Sequence, residues 1–252
     1  MKNIWLLKAN ENSDDKYIEC LNNAGFCTHQ LFPLSFKFIN NEVIKDALEN
    51  PENHSGIVFT SPRAVKAISN NYKSISVSKH QIWKSKKIFA IGETTATAIK
   101  NELDFENPIG ANTFTAKNLA PVIISETKEF DIPLLIPCGN QKREELPTLL
   151  VKENRDFRSI VCYETLPNPS LQNDMRKLLT EGKIPDFIIF FSPSGVKYSL
   201  PIFKNVDIDV NNTNIIAIGP TTNQSLVENE VKVSGISPSP SPSGLLHVIQ
   251  GL

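Results

Sequence analysis

A chain of 252 residues is long enough for two domains of roughly 120 residues, each burying its own core. With 40% apolar and 21% charged residues it is neither disordered nor collagenous, and runs such as 187–191 reach about a quarter of a membrane span. The formal net charge of −1, with no basic block, counts against nucleic-acid binding by phosphate neutralisation, so the field around any anionic ligand must be local.

The chain opens on Met1-Lys2-Asn3-Ile4-Trp5-Leu6-Leu7-Lys8, a strand-like run without the longer apolar stretch and small-residue cleavage site of a signal peptide. A cytoplasmic location without membrane attachment is expected. The stretch 14–24 places Tyr17, Ile18, Leu21 and Ala24 on one helical face closed by Gly25. The stretch 41–48 repeats the device with Val43, Ile44, Ala47 and Leu48. Strand-like runs follow at 56–60 and 88–91, and the alternation of such runs with amphipathic stretches predicts βα units and parallel sheets. Cysteines at 20, 27, 138 and 162 form no CxxC, and histidines at 29, 54, 80 and 247 have no ligand-like spacing, so no metal and no disulfide framework is expected.

The second half repeats the first. At an offset of 131, Phe26 matches Phe157, Ile44 matches Met175, Leu48 matches Leu179, and Ser61-Pro62 with Val65 matches Ser192-Pro193 with Val196. After a four-residue slip, Ala90-Ile91-Gly92 matches Ala217-Ile218-Gly219 and Thr94-Thr95 matches Thr221-Thr222. One further residue of slip pairs Leu119, Val122 and Ile123 with Leu245, Val248 and Ile249. The predicted fold is α/β, with two similar lobes that each carry a parallel sheet flanked by helices.

Several strand ends look built for anions. Phe59-Thr60-Ser61-Pro62 and Phe190-Phe191-Ser192-Pro193 put a serine N-cap and a proline N1 at a helix start, where free backbone N–H groups attract carboxylates or phosphates. Gly92-Glu93-Thr94-Thr95 and Gly219-Pro220-Thr221-Thr222 close a strand with glycine and open a helix with paired threonines. Cys138-Gly139-Asn140-Gln141-Lys142-Arg143 follows the apolar run Leu134-Leu135-Ile136, and Pro238, Pro240 and Pro242 alternate with serine ahead of Leu245. Each alone is ordinary capping or a flexible linker. Six loops at strand carboxyl ends together describe a cleft for several anionic groups. Glu93 inside one of them has to point its carboxylate away from the ligand.

These residues carry a resemblance. Phe59-Thr60-Ser61-Pro62-Arg63-Ala64-Val65, Cys138-Gly139-Asn140 with Lys142-Arg143-Glu144 and Leu146-Pro147, and Val161-Cys162-Tyr163-Glu164-Thr165 are followed by Phe190-Phe191-Ser192-Pro193-Ser194-Gly195, Ala217-Ile218-Gly219-Pro220-Thr221-Thr222 and Ser239-Pro240-Ser241-Pro242. In order and spacing over nearly the whole chain they resemble the uroporphyrinogen-III synthase family. The resemblance implies a cofactor-free lyase that closes linear hydroxymethylbilane, a tetrapyrrole with eight carboxylates, into uroporphyrinogen III with loss of water and inversion of the last ring.

It further implies interleaved lobes, residues 1–33 and 168–252 forming one and 38–161 the other. Two hinge strands near 31–37 and 161–168, stiffened by Pro33 and Pro167, would join them. A monomer with one small-molecule partner is expected. Substrate binding falls on the loops already singled out: Ser61, Pro62 and Arg63; Gly92, Thr94 and Thr95; Cys138, Gly139, Asn140 and Lys142. The later half contributes Ser192 and Ser194, then Gly219, Thr221 and Thr222. Tyr163 takes the role of general acid, and its partner at offset 131 is Phe32, which lacks the hydroxyl; the alternative is a hinge aromatic with a solvated tip. A two-lobed binding protein without chemistry would share the cleft, whereas a nucleotide-dependent enzyme would want GxGxxG or GxxxxGK[ST], and neither occurs.

Overall fold

The computed structural model describes residues 1–9, 15–128, 131–141, 145–210 and 212–252. In chain order its elements are β1 (Asn3–Leu7), α1 (Lys16–Asn23), β2 (Cys27–Leu31), β3 (Leu34–Phe38), α2 (Asn41–Glu49), β4 (Gly56–Phe59), α3 (Pro62–Tyr72), α4 (Val77–Ser85), β5 (Lys87–Ala90) and α5 (Glu93–Leu103). Then come α6 (Ala116–Glu126), β6 (Leu134–Gly139), α7 (Glu145–Lys152), β7 (Phe157–Pro167), α8 (Leu171–Thr180), β8 (Phe187–Phe190), α9 (Pro193–Asn205), β9 (Asn214–Ala217), α10 (Pro220–Glu228), β10 (Gly235–Ile236) and α11 (Pro242–Gln250).

Two compact units result, Met1–Ser35 with Leu166–Leu252, and Phe36–Thr165. One sheet runs β10-β9-β8-β1-β2 and the other β3-β7-β6-β4-β5. The pairs β1/β2, β1/β8, β8/β9, β9/β10, β4/β5, β4/β6 and β6/β7 are parallel. Ile109 adds an isolated parallel bridge to Phe89, the counterpart of β10 beside β9. In each sheet the strand order reverses once, between β1 and β8 in the first and between β6 and β4 in the second.

The repeat is visible element by element. Helices α2, α3, α5 and α6 precede or follow β4, β5 and Ile109 as α8, α9, α10 and α11 do for β8, β9 and β10. Ile44 and its match Met175 are both buried. Central strands are apolar throughout, Phe187-Ile188-Ile189-Phe190 being buried at every position, because helices cover both faces. Two helical faces are narrower than their apolar pattern predicts. Val43 is exposed, and Ala24 is the exposed C-cap of α1, followed by Gly25 at φ +88°.

The Ser-Pro helix starts form as cap chemistry requires. Ser61 Oγ accepts from Ala64 N–H at 3.2 Å, Ser192 Oγ from Gly195 N–H at 3.1 Å and Ser241 Oγ from Gly244 N–H at 3.1 Å, each with proline at the first helical position. The stretch 31–37 is broken by Phe32-Pro33 between β2 and β3, whereas β7 runs on to Pro167. Asn168 holds this break, donating from its backbone to Pro33 O at 3.0 Å and from Nδ2 to Phe32 O at 2.8 Å. Among the described residues no helix is long and apolar enough to cross a membrane.

Candidate functional site

In the unit Phe36–Thr165 the carboxyl ends of the strands surround a chamber of about 530 Å³, a volume suited to a small-molecule ligand. It lies where the strand order reverses, between β4 and β6. Helix α3 leaves β4 for one face of the sheet, packing Ala64 and Val65 there, while α7 packs Leu146 and Leu150 on the other. Such a crevice is where parallel α/β sheets hold their ligands. Thr60 and Ser61, Cys138 and Gly139, and Tyr163 form part of the wall, together with Gln141, Glu145 and the segment 114–117.

Tyr163 reaches this place through a bulge. Strands β6 and β7 pair regularly from Leu134↔Phe157 to Cys138↔Val161, then slip so that Gly139 pairs with Tyr163 and Cys162 is the extra residue. Side chains alternate along a regular strand. Here Ile160, Cys162 and Tyr163 all pack toward one core, with Phe59, Ala64 and Val65. The bulge therefore turns Tyr163 toward α3, where an unbroken strand would send it to the opposite face.

There the phenolic oxygen lies 3.3 Å from Ser61 Oγ, and the ring meets Phe36 edge-to-face at 6.3 Å between centroids. The approach requires the glycine beside it. A Cβ at Gly139 would sit 2.7 Å from the tyrosine ring and 2.9 Å from its oxygen. The backbone is tied off as well: Asn140 N–H donates to Tyr163 O at 3.0 Å, and Asn140 Oδ1 accepts from Thr165 N–H at 3.0 Å.

Arg63 lays its guanidinium on the Phe36 ring, 3.8 Å from the centroid. Cys138 is buried in the chamber wall. Cys162 faces the core and donates to Cys138 O at 3.2 Å; burial, reinforced by Cys138, pushes its thiol up to about 12. It is therefore no nucleophile at neutral pH.

The paired threonines take a different role from the one their spacing predicts. Helices α5 and α10 begin at Glu93 and Pro220, with Gly92 and Gly219 as caps and no side-chain cap bond, so Thr94-Thr95 and Thr221-Thr222 lie inside the first turn. Gly92 has φ +78°, which explains the glycine. Thr94 and Thr221 are exposed, whereas Thr95 and Thr222 are buried. Glu93 lines a separate groove with Ala96, Thr97 and Lys100 rather than the chamber.

Of the residues singled out in sequence, the chamber brings together Ser61, Cys138, Gly139 and Tyr163, with Pro62, Arg63 and Asn140 adjoining them in chain. Ser192 and Ser194 sit together in the other unit, their hydroxyls 3.2 Å apart, and Gly219 and Thr221 occupy the loop after β9 of that unit. Lys142, with Arg143, lies outside the described residues.

One stretch of wall escaped the sequence reading. Thr115 caps α6 by accepting from Asn118 N–H at 3.2 Å, and Phe114 and Lys117 flank it in the chamber. The offset that pairs Leu119 with Leu245 also pairs Thr115 with the cap Ser241, so extending that alignment backwards would have found it. Among the described residues no group of three or more His, Cys, Asp or Glu could hold a metal ion.

Comparison with known proteins gives a consistent result. A family model described as "Uroporphyrinogen-III synthase HemD" matches residues 15–247. A uroporphyrinogen-III synthase of Schizosaccharomyces pombe is 26% identical, over 99% of this chain and 96% of its own. A putative uroporphyrinogen-III synthase of Methanocaldococcus jannaschii is 29% identical over 82% of each chain. Among solved structures, uroporphyrinogen-III synthetase of Helicobacter pylori superimposes with a TM-score of 0.67 at 20% identity, covering 100% of this chain and 99% of its own, which establishes a shared fold.

Proposed function

Because the chain belongs to the uroporphyrinogen-III synthase family, we propose that it is a lyase that closes hydroxymethylbilane to uroporphyrinogen III without a cofactor. The observation that carries the reading is a phenol at a ligand-sized crevice, with a second hydroxyl 3.3 Å away.

Ser61 Oγ already accepts from Ala64 N–H, so its own proton is free to go to the phenolic oxygen. That leaves the Tyr163 proton for the terminal hydroxyl of the substrate. Proton transfer breaks the C–O bond, water departs, and the resulting azafulvene is attacked by the electron-rich last pyrrole at its substituted carbon. A spiro intermediate then rearranges with that ring inverted, and the proton lost from the ring's free α-carbon as it becomes aromatic again returns to the Tyr163 oxygen. Unguided closure gives the uninverted isomer, so the protein's main work is to hold the chain in the folded geometry.

The carboxylates suit the backbone N–H groups at the capped starts of α3 and α6, where Ser61 and Thr115 line the chamber. On this reading the chain acts as a cytoplasmic monomer on a polycarboxylate tetrapyrrole, with neither nucleic acid nor membrane as partner. Incubation of the purified protein with hydroxymethylbilane in the presence of chelator, followed by isomer separation, tests it. Uroporphyrinogen III is expected. Isomer I at the rate seen without protein would overturn the reading and favour a binding protein.

A further inference from the structure

Helix-start amides and Ser61 can hold carboxylates, but they offer no flat surface to orient a pyrrole ring. The chamber has one. Phe114 is 75% exposed, the one aromatic among the largely exposed apolar side chains of the described residues, and it lines the chamber. Leaving such a ring in water forgoes a stabilisation that a flat apolar ligand would restore. Three residues on, Lys117 lines the same wall and has no ion-pair partner among the described residues. Thr115 between them fixes the turn by its cap bond to Asn118 N–H, so ring and ammonium are carried by one rigid corner rather than a loose loop.

We propose that Phe114 and Lys117 form a subsite for one pyrrole ring of the substrate, the phenyl ring packing on the pyrrole and the ammonium taking a carboxylate borne by it. The proposal rests on the cyclisation proposed above. It also gives the duplicated fold an asymmetry. The offset that pairs Thr115 with Ser241 pairs Phe114 with Pro240 and Lys117 with Ser243, so the matching corner of the other unit has neither aromatic face nor charge. Glu145 lines the chamber as well, and its carboxylate opposes the ammonium's attraction, which makes the Lys117 contribution sensitive to ionic strength.

The test is steady-state kinetics on hydroxymethylbilane with wild type, Phe114→Ala, Phe114→Trp and Lys117→Met, each checked for folding by circular dichroism and for mass by sedimentation. Phe114→Ala should raise KM about tenfold with kcat within about twofold, and Phe114→Trp should restore KM. Lys117→Met should raise KM about fivefold at low salt, the difference shrinking toward 1 M salt. Wild type that makes uroporphyrinogen III while both Phe114→Ala and Lys117→Met keep its KM overturns the subsite and leaves the cyclisation standing. A wild type that makes no uroporphyrinogen III overturns the cyclisation first. A wild type that self-associates through Phe114, shown by Phe114→Ala becoming monomeric with KM unchanged, assigns the ring to an interface and overturns the subsite.

Discussion

Tyr163 and Ser61 touch through their hydroxyls at 3.3 Å, and they do so because one extra residue, Cys162, swings the tyrosine onto the face of the sheet that α3 covers. The serine thereby serves two ends at once: it caps α3 through Ala64 N–H and it sits beside the phenol. Capping belongs to stability and, on the proposed mechanism, the phenol contact to chemistry, so substitutions can separate them.

Tyr163→Phe removes the proposed proton donor and keeps the ring against Phe36. Turnover should fall on the order of 100-fold, about 2.7 kcal/mol of barrier, with KM little changed. The product should remain uroporphyrinogen III, since ring inversion follows from how the chamber folds the substrate. Near-wild-type turnover would leave Tyr163 as a packing residue.

Ser61→Ala and Ser192→Ala form a matched pair, because both serines cap a helix of the same repeat, and Ser61 has the Tyr163 phenol beside it whereas Ser192 has the Ser194 hydroxyl. Each should lose about 1 kcal/mol of stability as a missing cap. Only Ser61→Ala should also lower kcat, by about tenfold, through the freed phenol. Equal kinetics in the two variants would show that the hydroxyl contact does not matter to turnover.

The caps were legible in sequence because their chemistry is local: Ser-Pro before an apolar pattern needs nothing from elsewhere in the chain. The duplication was legible for a similar reason, since matched cores impose matched residues such as Ile44 and Met175. The bulge was not. It is a property of how β7 registers on β6, and Val161-Cys162-Tyr163 reads as plain strand until Gly139 is seen opposite. The threonine pairs misled because N-cap preference covers threonine, whereas Gly92 at φ +78° already ends the strand and starts the helix one residue later. Phe114 and Lys117 are easily passed over because Thr-Ala-Lys does not look like Ser-Pro-Ser, although both make the same cap and only the repeat offset links them.

Gly139→Ala should disable the site without removing any polar group. Its new Cβ would collide with the Tyr163 ring, which is not a flexible tip but a plate held by Phe36 and the bulge. Displacement of the ring should cost roughly 1–3 kcal/mol of stability and lower kcat to about the level of Tyr163→Phe. In a Tyr163→Phe background the same substitution should add little further loss of kcat, a non-additivity that a double-mutant cycle reads directly. Additive losses would mean that Gly139 acts through something other than the tyrosine.

His54 supplies a pH dependence separate from the site. It is 1% exposed just ahead of β4, its ring stacked on Trp83 at 6.1 Å between centroids, and among the described residues neither ring nitrogen makes a hydrogen bond of normal geometry. Burial, with the positive charges of Arg158 and Lys86 behind it, brings its pKa down from 6.5 to about 4; Asp46 and the Pro133 carbonyl pull weakly the other way. Between those two values the unfolded chain takes up a proton that the folded chain refuses, so stability is complete above pH 6.5 and declines as pH falls toward 4. The loss should approach about 3 kcal/mol. Urea unfolding at pH 7, 6, 5 and 4 should show the decline, and His54→Phe, which keeps a flat ring against Trp83 and cannot charge, should gain on wild type by about that amount across the same window. A constant difference between the two proteins from pH 7 to 4 would show that His54 titrates in the folded state as it does in water.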